Sequence, residues 1–508
     1  MTLSLADTAL DMEKKAMKRC ARRSLLCNWL AWLSCGVFLT SFAGFYVTWC
    51  TNMYQDYTLT HFELRNGTQA FDWWQQPPFE FTFKVYVFNY TNVDDFEAGR
   101  ASKLHVQELG PYIYNEKASR VNVVMHQNGT MTYQSKKIYH WVGGRPENDI
   151  IVVPNIPLMF ATALVRDLNF AMRFSLSTVL STLHEKPFIN VTTGGYVWGY
   201  DNPLFEMAKP FIMFQRDIPF EKFGLLAMKN GTENDRITIH TGEDIDKLGW
   251  IERVNGMKRR NIWDDEQCDK IGGTDGSTFP TRLIKNSSYV LDVYSKELCR
   301  NLPFSFSEPV TVYGMPSLRY KLSPKMFSED QCFCSKDGSR KVCPPRGLFN
   351  MSACNDNAPL LSSFPHFYGG EKSLLEGVDG LNPRQEDHES FIDVHEAFGK
   401  PINAWSKFQL NIEVRKAVGV PFLGNLKDRT ILPLIWIDIG VDDIPKDLLD
   451  TFKNMYYLMR SVEMALQWIT VIGMVISLSA LITCFWKYRE QQHKSFQNSG
   501  QKILLQSA

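Results

Sequence analysis

Residues 79–87 read Phe-Glu-Phe-Thr-Phe-Lys-Val-Tyr-Val. Phe79, Phe81, Phe83, Val85 and Val87 recur at every second position, so an extended chain carries all five on one face. The same period returns downstream. Phe408, Leu410, Ile412 and Val414 alternate with Lys407, Gln409, Asn411, Glu413 and Arg415. Each segment reads as a half-buried antiparallel strand with one solvated face. Two Asn-Gly pairs predict hairpins: residues 121–126 with 131–140 across Asn128-Gly129, and residues 225–228 with 236–240 around Asn230-Gly231. Asn-Gly supplies the positive φ that tight hairpin turns need. No repeat and no Pro/Gly/Ser linker interrupts this region, so it is expected to be one mainly antiparallel β domain.

Working outward, the chain loses its charges at both ends. No charged residue occurs in 24–55 or in 464–486. About 20 apolar residues suffice to cross a hydrocarbon layer, and both stretches qualify. Trp29, Trp32, Tyr46 and Trp49 mark the first, and Trp468 and Trp486 bracket the second, as interfacial aromatics do. Basic flanks lie outside each span: Lys14, Lys15, Lys18, Arg19, Arg22 and Arg23 before, and Lys487, Arg489, Lys494 and Lys502 after. The positive-inside rule puts both termini in the cytosol. The expected organisation is a cytosolic tail 1–24, a span 25–49, an extracellular or lumenal domain 50–463, a second span 464–486 and a cytosolic tail 487–508.

Two patterns fit that topology. The sequons Asn66, Asn89, Asn128, Asn190, Asn230, Asn286 and Asn350 all fall between the spans and are expected N-glycosylation sites. Cys268, Cys299, Cys332, Cys334, Cys343 and Cys354 form an even cluster there, which reads as three disulfides; spacing leaves all fifteen pairings open. Zinc is the competing reading, but no Cys-x-x-Cys occurs. Cys20, Cys27 and Cys484 lie near the cytosolic face, where S-acylation competes with a plain apolar role.

One stretch departs from the β pattern. Residues 150–165 are uncharged but short and carry Pro154 and Pro157. Phe170, Phe174, Leu180 and Leu183 then recur at helical steps, decorated by Arg166, Arg173, His184 and Lys186. The bland reading is a helix packed on the sheet with solvated charges. The functional reading is an exposed basic-plus-apolar cap that contacts amphipathic or anionic ligands through those four residues.

Composition and motifs exclude several classes. Lys+Arg and Asp+Glu are both 55, which gives no argument for a nucleic-acid partner. No Gly-x-Ser-x-Gly, Walker or Gly-x-Gly-x-x-Gly signature occurs. His184-Glu185 and His395-Glu396 carry Phe188 and Gly399 where a zinc-protease helix needs its second His. Gly272-Gly273-Thr274-Asp275-Gly276 lacks the Lys and the strand-to-helix context of a phosphate cradle. An enzyme, a catalytic residue, a metal and a cofactor are therefore not expected.

The chain resembles the class B scavenger receptors, whose members include fatty-acid translocase (platelet glycoprotein four), the high-density-lipoprotein receptor, croquemort and the lysosomal integral membrane protein type two. The residues that carry the resemblance are the block from Cys268 through Ile271, Gly273, Thr274 and Asp275 to Phe279-Pro280, with Trp198-Gly-Tyr200, Cys332-Phe-Cys334, Pro365-His366-Phe367, Asp379-Gly-Leu-Asn-Pro383 and Ile431-Leu-Pro-Leu-Ile-Trp436. It implies a distorted antiparallel β-barrel with a helical, membrane-distal apex and an apolar tunnel. It also implies the pairs Cys268–Cys332, Cys299–Cys354 and Cys334–Cys343, and places residues 157–186, with Lys186, where the family's ligand-binding helices lie.

The function so implied is a surface receptor that binds lipids and lipoproteins; apoptotic-cell or pathogen surfaces suit the same chemistry. A dry conduit would spare a lipid about 0.8 kcal/mol per methylene otherwise exposed to water. A two-span ligand-gated channel shares the topology, but its lining would be only Thr470, Ser477, Ser479 and Thr483. The layout is also compatible with a homo-oligomer. The tail decides localisation: Leu504-Leu505 lacks the acidic residue of a di-leucine signal, with Gly500 in its place, and Tyr488-Arg-Glu-Gln491 ends on a polar residue. The plasma membrane is expected, with the lysosomal or endosomal membrane as the alternative.

Overall fold

The computed structural model describes residues 29–215, 221–263, 266–284, 288–322, 333–337, 340–355 and 357–506. The opening stretch becomes a strand from Phe81 to Tyr90, β1, with Phe79 just before it. Phe83, Val85 and Val87 are buried as the alternation requires. The pairing register then shifts between Val85 and Val87, and burial passes to Phe88 and Tyr90. A bulge of this kind turns the following side chains over and bends the strand.

Twelve further strands matter to the argument: β2 (Leu104–Met125), β3 (Thr130–Gly144), β4 (Ile150–Pro154), β5 (Phe188–Thr192), β6 (Ile237–His240), β7 (Ile251–Val254), β8 (Leu291–Ser295), β9 (Arg300–Val312), β10 (Met315–Leu322), β11 (Phe391–His395), β12 (Pro401–Glu413) and β13 (Ile431–Gly440). Eleven of the thirteen hydrogen-bond in the order β7-β6-β3-β2-β1-β13-β12-β11-β10-β9-β8. β4 and β5 pair separately. β13 is central and almost wholly buried, which explains its near-continuous apolar run. Its Pro433 stands beside a register shift opposite Leu410 and Asn411, where a missing N–H does least harm.

The two edges of this path, β7 and β8, do not pair with each other. The segment Gly272–Asp275 joins them. Ile251 N–H donates to Gly273 O (2.8 Å), Thr274 N–H donates to Asp292 O (2.9 Å), and Tyr294 N–H donates to Thr274 O (2.9 Å). Gly273 has φ +70°, and a Cβ there would collide with the Asp292 carbonyl, so both conformation and space select glycine. The sheet is thereby nearly closed into a barrel, and the loop that sequence reading set aside is its seam.

Two expectations fail here. The hairpin across Asn128-Gly129 forms, with β2 and β3 in register from Tyr112↔Gly144 to Met125↔Met131. The second hairpin does not. Ala227–Lys229 is a single 3-10 turn, and Gly231–Thr232 and β6 each pair with β3 instead of with a strand at 225–228. β3 offers a long edge that outcompetes a local partner. The second failure is the solvated face of β12. Gln409 and Asn411 are fully buried, because the short strand Leu360–Ser363 covers that end. They survive burial by bonding: Gln409 Nε2 donates to Asn411 Oδ1 (2.7 Å), and Asn411 Nδ2 donates to Ser363 Oγ (3.0 Å).

Four of the helices matter to the argument: α1 (Trp29–Cys50), α2 (Ile156–Val165), α3 (Phe170–Thr182) and α4 (Lys446–Gln506). The chain divides into two compact units, one of residues Met1–His61 with Asp450–Ala508, the other of Phe62–Leu449. Within the first, α1 and α4 are long and apolar enough to span a membrane, and α4 continues well beyond 464–486 at both ends. They lie against each other through small residues. A Cβ on Gly473 would overlap the Ser41 side chain, and one on Gly44 would sit 2.9 Å from Thr470 Cγ2. Gln467 Nε2 donates to Thr48 O (3.2 Å) and Tyr54 OH to Met459 O (3.1 Å).

Candidate ligand-binding helices

α2 and α3 are neighbours with opposite fates. α2 buries Ile156, Pro157, Leu158, Met159, Thr162 and Val165. Its start is set by Asn155, whose Oδ1 accepts the Leu158 N–H (3.3 Å), and by Pro157 in the first turn. Fully buried Asn155 also donates through Nδ2 to Glu185 Oε2 (2.6 Å) and to Lys186 O (3.0 Å). One side chain therefore caps α2 and holds the chain that leaves α3.

α3 begins at its own cap, Asn169, which accepts the Met172 N–H (3.0 Å). Only Leu180 is buried along it. Phe170 and Phe174 stack at 6.1 Å between ring centroids and are 73% and 63% exposed, a large apolar surface to leave in water. Leu164, Leu168 and Met172 are exposed as well. The chain leaves α3 through His184 at φ +55°, with its N–H on Ser181 O (3.2 Å).

The four basic residues singled out in the sequence fare differently. Arg166 is anchored on Asp428 (3.2 Å), so it ties α2 to a neighbouring loop before it can serve a ligand. Arg173 is half-buried, and its Nε has no partner. His184 and Lys186 are exposed. Sequence reading missed Glu185, which it met only as part of a failed protease motif. Burial raises its carboxyl above the ordinary range, and the Asn155 amide pulls it partly back. It also missed the buried hydroxyls of Tyr196 and Tyr200, both without a hydrogen-bond partner. The Trp198-Gly-Tyr200 motif was the available signal. Trp198 packs among Phe83, Tyr114 and Tyr139.

The seam loop carries its own charge site. Asp275 accepts from Arg120 Nη2 (2.9 Å), Tyr133 OH (3.1 Å) and Ser277 Oγ (2.6 Å). Burial pushes this carboxyl up, but the Arg120 guanidinium and the Ser277 bonds outweigh it and hold the carboxyl below its usual range. Arg120 also donates to the Trp74 carbonyl and lies over its ring at 4.7 Å. Among the described residues, no His, Cys, Asp and Glu group is assembled that could hold a metal.

Cys299 is joined to Cys354 and Cys334 to Cys343. Cys268 is disulfide-bonded, while Cys332 lies outside the described residues. Cys484 is half-buried in α4; Cys20 and Cys27 lie outside the described residues. Asn66, Asn128, Asn190 and Asn230 are exposed, and Asn286 lies outside the described residues. Asn89 sits in β1 and accepts the Val152 N–H (2.8 Å). Asn350 differs from these: it is buried at 3% exposure in the strand Leu348–Asn350, which pairs with Leu360–Ser363.

A nearly closed antiparallel barrel with projecting helices, plus two terminal apolar helices, defines a class of two-span membrane proteins with one large β domain between the spans. The CD36 family model matches residues 34–485, and the chain belongs to the CD36 family. It is 31% identical to scavenger receptor class B member 1 of Bos taurus over 84% of this chain and 83% of that protein. It is 32% identical to lysosome membrane protein 2 of Homo sapiens over 77% of this chain and 81% of that one.

Proposed function

We propose that this chain is a class B scavenger receptor of the cell surface, anchored by both spans with its termini in the cytosol. It takes lipids from lipoproteins or lipid-bearing particles and passes them along the barrel interior. Family membership supports the class. The observation that carries the ligand chemistry is α3, which presents Phe170 and Phe174 to solvent on a helix braced by buried α2. Surface of this kind gains about 25 cal/mol per Å² when a lipid covers it.

The test is lipid uptake from fluorescently labelled lipoprotein by cells that express the full chain. Phe170→Ser with Phe174→Ser should lower uptake several-fold at equal surface level. Unchanged uptake would remove α3 from the ligand site. Relatives named lysosome membrane protein 2 at similar identity favour a second reading, the same receptor chemistry in the lysosomal membrane.

A further inference from the structure

Two buried histidines lie outside the helices just described. His366 and His388 stack face to face, with ring centroids 4.7 Å apart and planes 15° from parallel. They are 5% and 3% exposed. Each uses Nδ1 as an acceptor for a main-chain amide of one segment: Asn382 N–H donates to His366 (3.1 Å) and Arg384 N–H to His388 (2.9 Å). His366 Nε2 donates to Glu108 Oε2 (2.5 Å) on β2. Trp436 Nε1 on β13 donates to the same oxygen (2.7 Å), and its ring lies flat on Tyr86 at 3.8 Å.

An imidazole that accepts at Nδ1 must be unprotonated there. The hydrogen-bond pattern therefore requires both rings to be neutral, and they hold residues 378–384 only while they stay so. The segment's other ties lie mostly at its start: Val378 is buried in the core, Val378 and Asp379 pair with Leu104 and His105 in a two-residue parallel ladder, Lys103 stands 3.7 Å from exposed Asp379, and Leu381 packs at the edge of the core.

We propose that the stacked pair His366–His388 is an acid-operated latch: neutral, it clamps the segment Val378–Arg384 against β2; protonated, it lets that segment go. A proton on Nδ1 turns each acceptor into a second donor aimed at an amide N–H. Two imidazolium rings at this spacing also repel. Glu108 and Asp387 favour a proton on His388, while Arg384, paired to Asp387 at 2.7 Å, opposes it. Lys407 of β12 donates to the Asp387 carbonyl (2.8 Å), and Asp438 lies on β13 near Tyr86. Burial, then His366, pushes His388 down to about 4. A histidine depressed in the folded state favours the closed segment above its free value and works against it as acidity approaches that lower value. The acidity of endosomes falls within that window.

Hydrogen–deuterium exchange of the full chain in detergent, corrected for intrinsic rates, reads the latch directly. Peptides covering residues 378–388 should be protected at about pH 7.4 and lose roughly tenfold or more of that protection at about pH 5. His366→Asn with His388→Asn keeps an acceptor where each Nδ1 stands and cannot titrate, so the variant should stay protected at both. Equal wild-type protection at the two pH values overturns the proposal, as does a folded variant that opens like wild type. Should the variant not fold, wild-type C2-hydrogen exchange at His388 serves instead. A titration midpoint that coincides with segment opening supports the latch, and a midpoint that does not coincide overturns it.

Discussion

Asp275→Asn tests whether the barrel seam is held by charge. The substitution keeps side-chain size and removes only the carboxylate that faces Arg120 at 2.9 Å. Both side chains are nearly buried, at 15% and 16% exposure, so water cannot replace the lost partner. Removing one member of such a pair costs about 3–5 kcal/mol, because it strands the other charge. At about 2.1 cal/mol/K per residue, melting the unit Phe62–Leu449 gains roughly 0.8 kcal/mol/K, so the shift in Tm should be about 4–6 °C downward. Differential scanning fluorimetry of the full chain in detergent measures it. Arg120→Met should cost a similar amount, and the double variant should regain part of the loss, since no charge is then stranded. A Tm within about 1 °C of wild type for Asp275→Asn would refute the reasoning: the seam would then rest on the Gly273 and Thr274 backbone bonds alone.

The remaining predictions concern pH, glycans, disulfides and address. His395 is fully buried, accepts the Ala397 N–H at Nδ1 (3.1 Å), and is pushed by burial down to about 4. Its folded pKa is depressed, so its stabilisation is complete above about 6.5 and falls by roughly 2–3 kcal/mol at about pH 4.5; denaturant titration of His395→Asn should show a correspondingly flatter pH dependence, and an unchanged slope counts against it. Asn350→Gln should leave gel mobility unchanged, whereas Asn66→Gln, Asn128→Gln and Asn230→Gln should each increase it; a shift at Asn350 would mean that the strand Leu348–Asn350 forms after glycosylation. Non-reducing peptide mapping should recover Cys334 with Cys343, and free thiols at both would contradict the lumenal placement. Surface biotinylation should find the intact chain at the plasma membrane; retention inside cells, relieved by Leu504→Ala with Leu505→Ala, would favour the lysosomal reading.

Local signals were legible in the sequence and non-local ones were not. β1, the hairpin across Asn128-Gly129 and the start of α3 at Asn169 each depend on residues within a few positions of one another. Asn169 caps its own helix, and Gly129 turns its own strands. Gln409 and Asn411 read as solvent-facing because nothing nearby in sequence announces that residues 360–363 cover them. Gly273, Thr274 and Asp275 read as an ordinary loop for the same reason: their partners are Ile251, Asp292, Arg120 and Tyr133, separated by anything from 18 to 155 positions. Of the four candidate basic residues, the pattern could place them on or beside α3. It could not show that Arg166 is already engaged by Asp428, which comes 262 residues later.

The seam also constrains how this domain can bind. An open sheet offers its edge strands to any extended chain, and β-strand addition is a common recognition mode. Here the residues 272–275 occupy main-chain groups of both β7 and β8, through Ile251 on one side and Asp292 and Tyr294 on the other. Recognition by edge pairing is thereby blocked where the two edges meet. What the domain leaves open is side-chain surface, and α3 contributes exposed Phe170, Met172 and Phe174 to it. Such a surface has no directional main-chain bonds to offer. It discriminates by curvature and apolar area, which suits the packed surface of a lipid particle better than the sequence of a peptide.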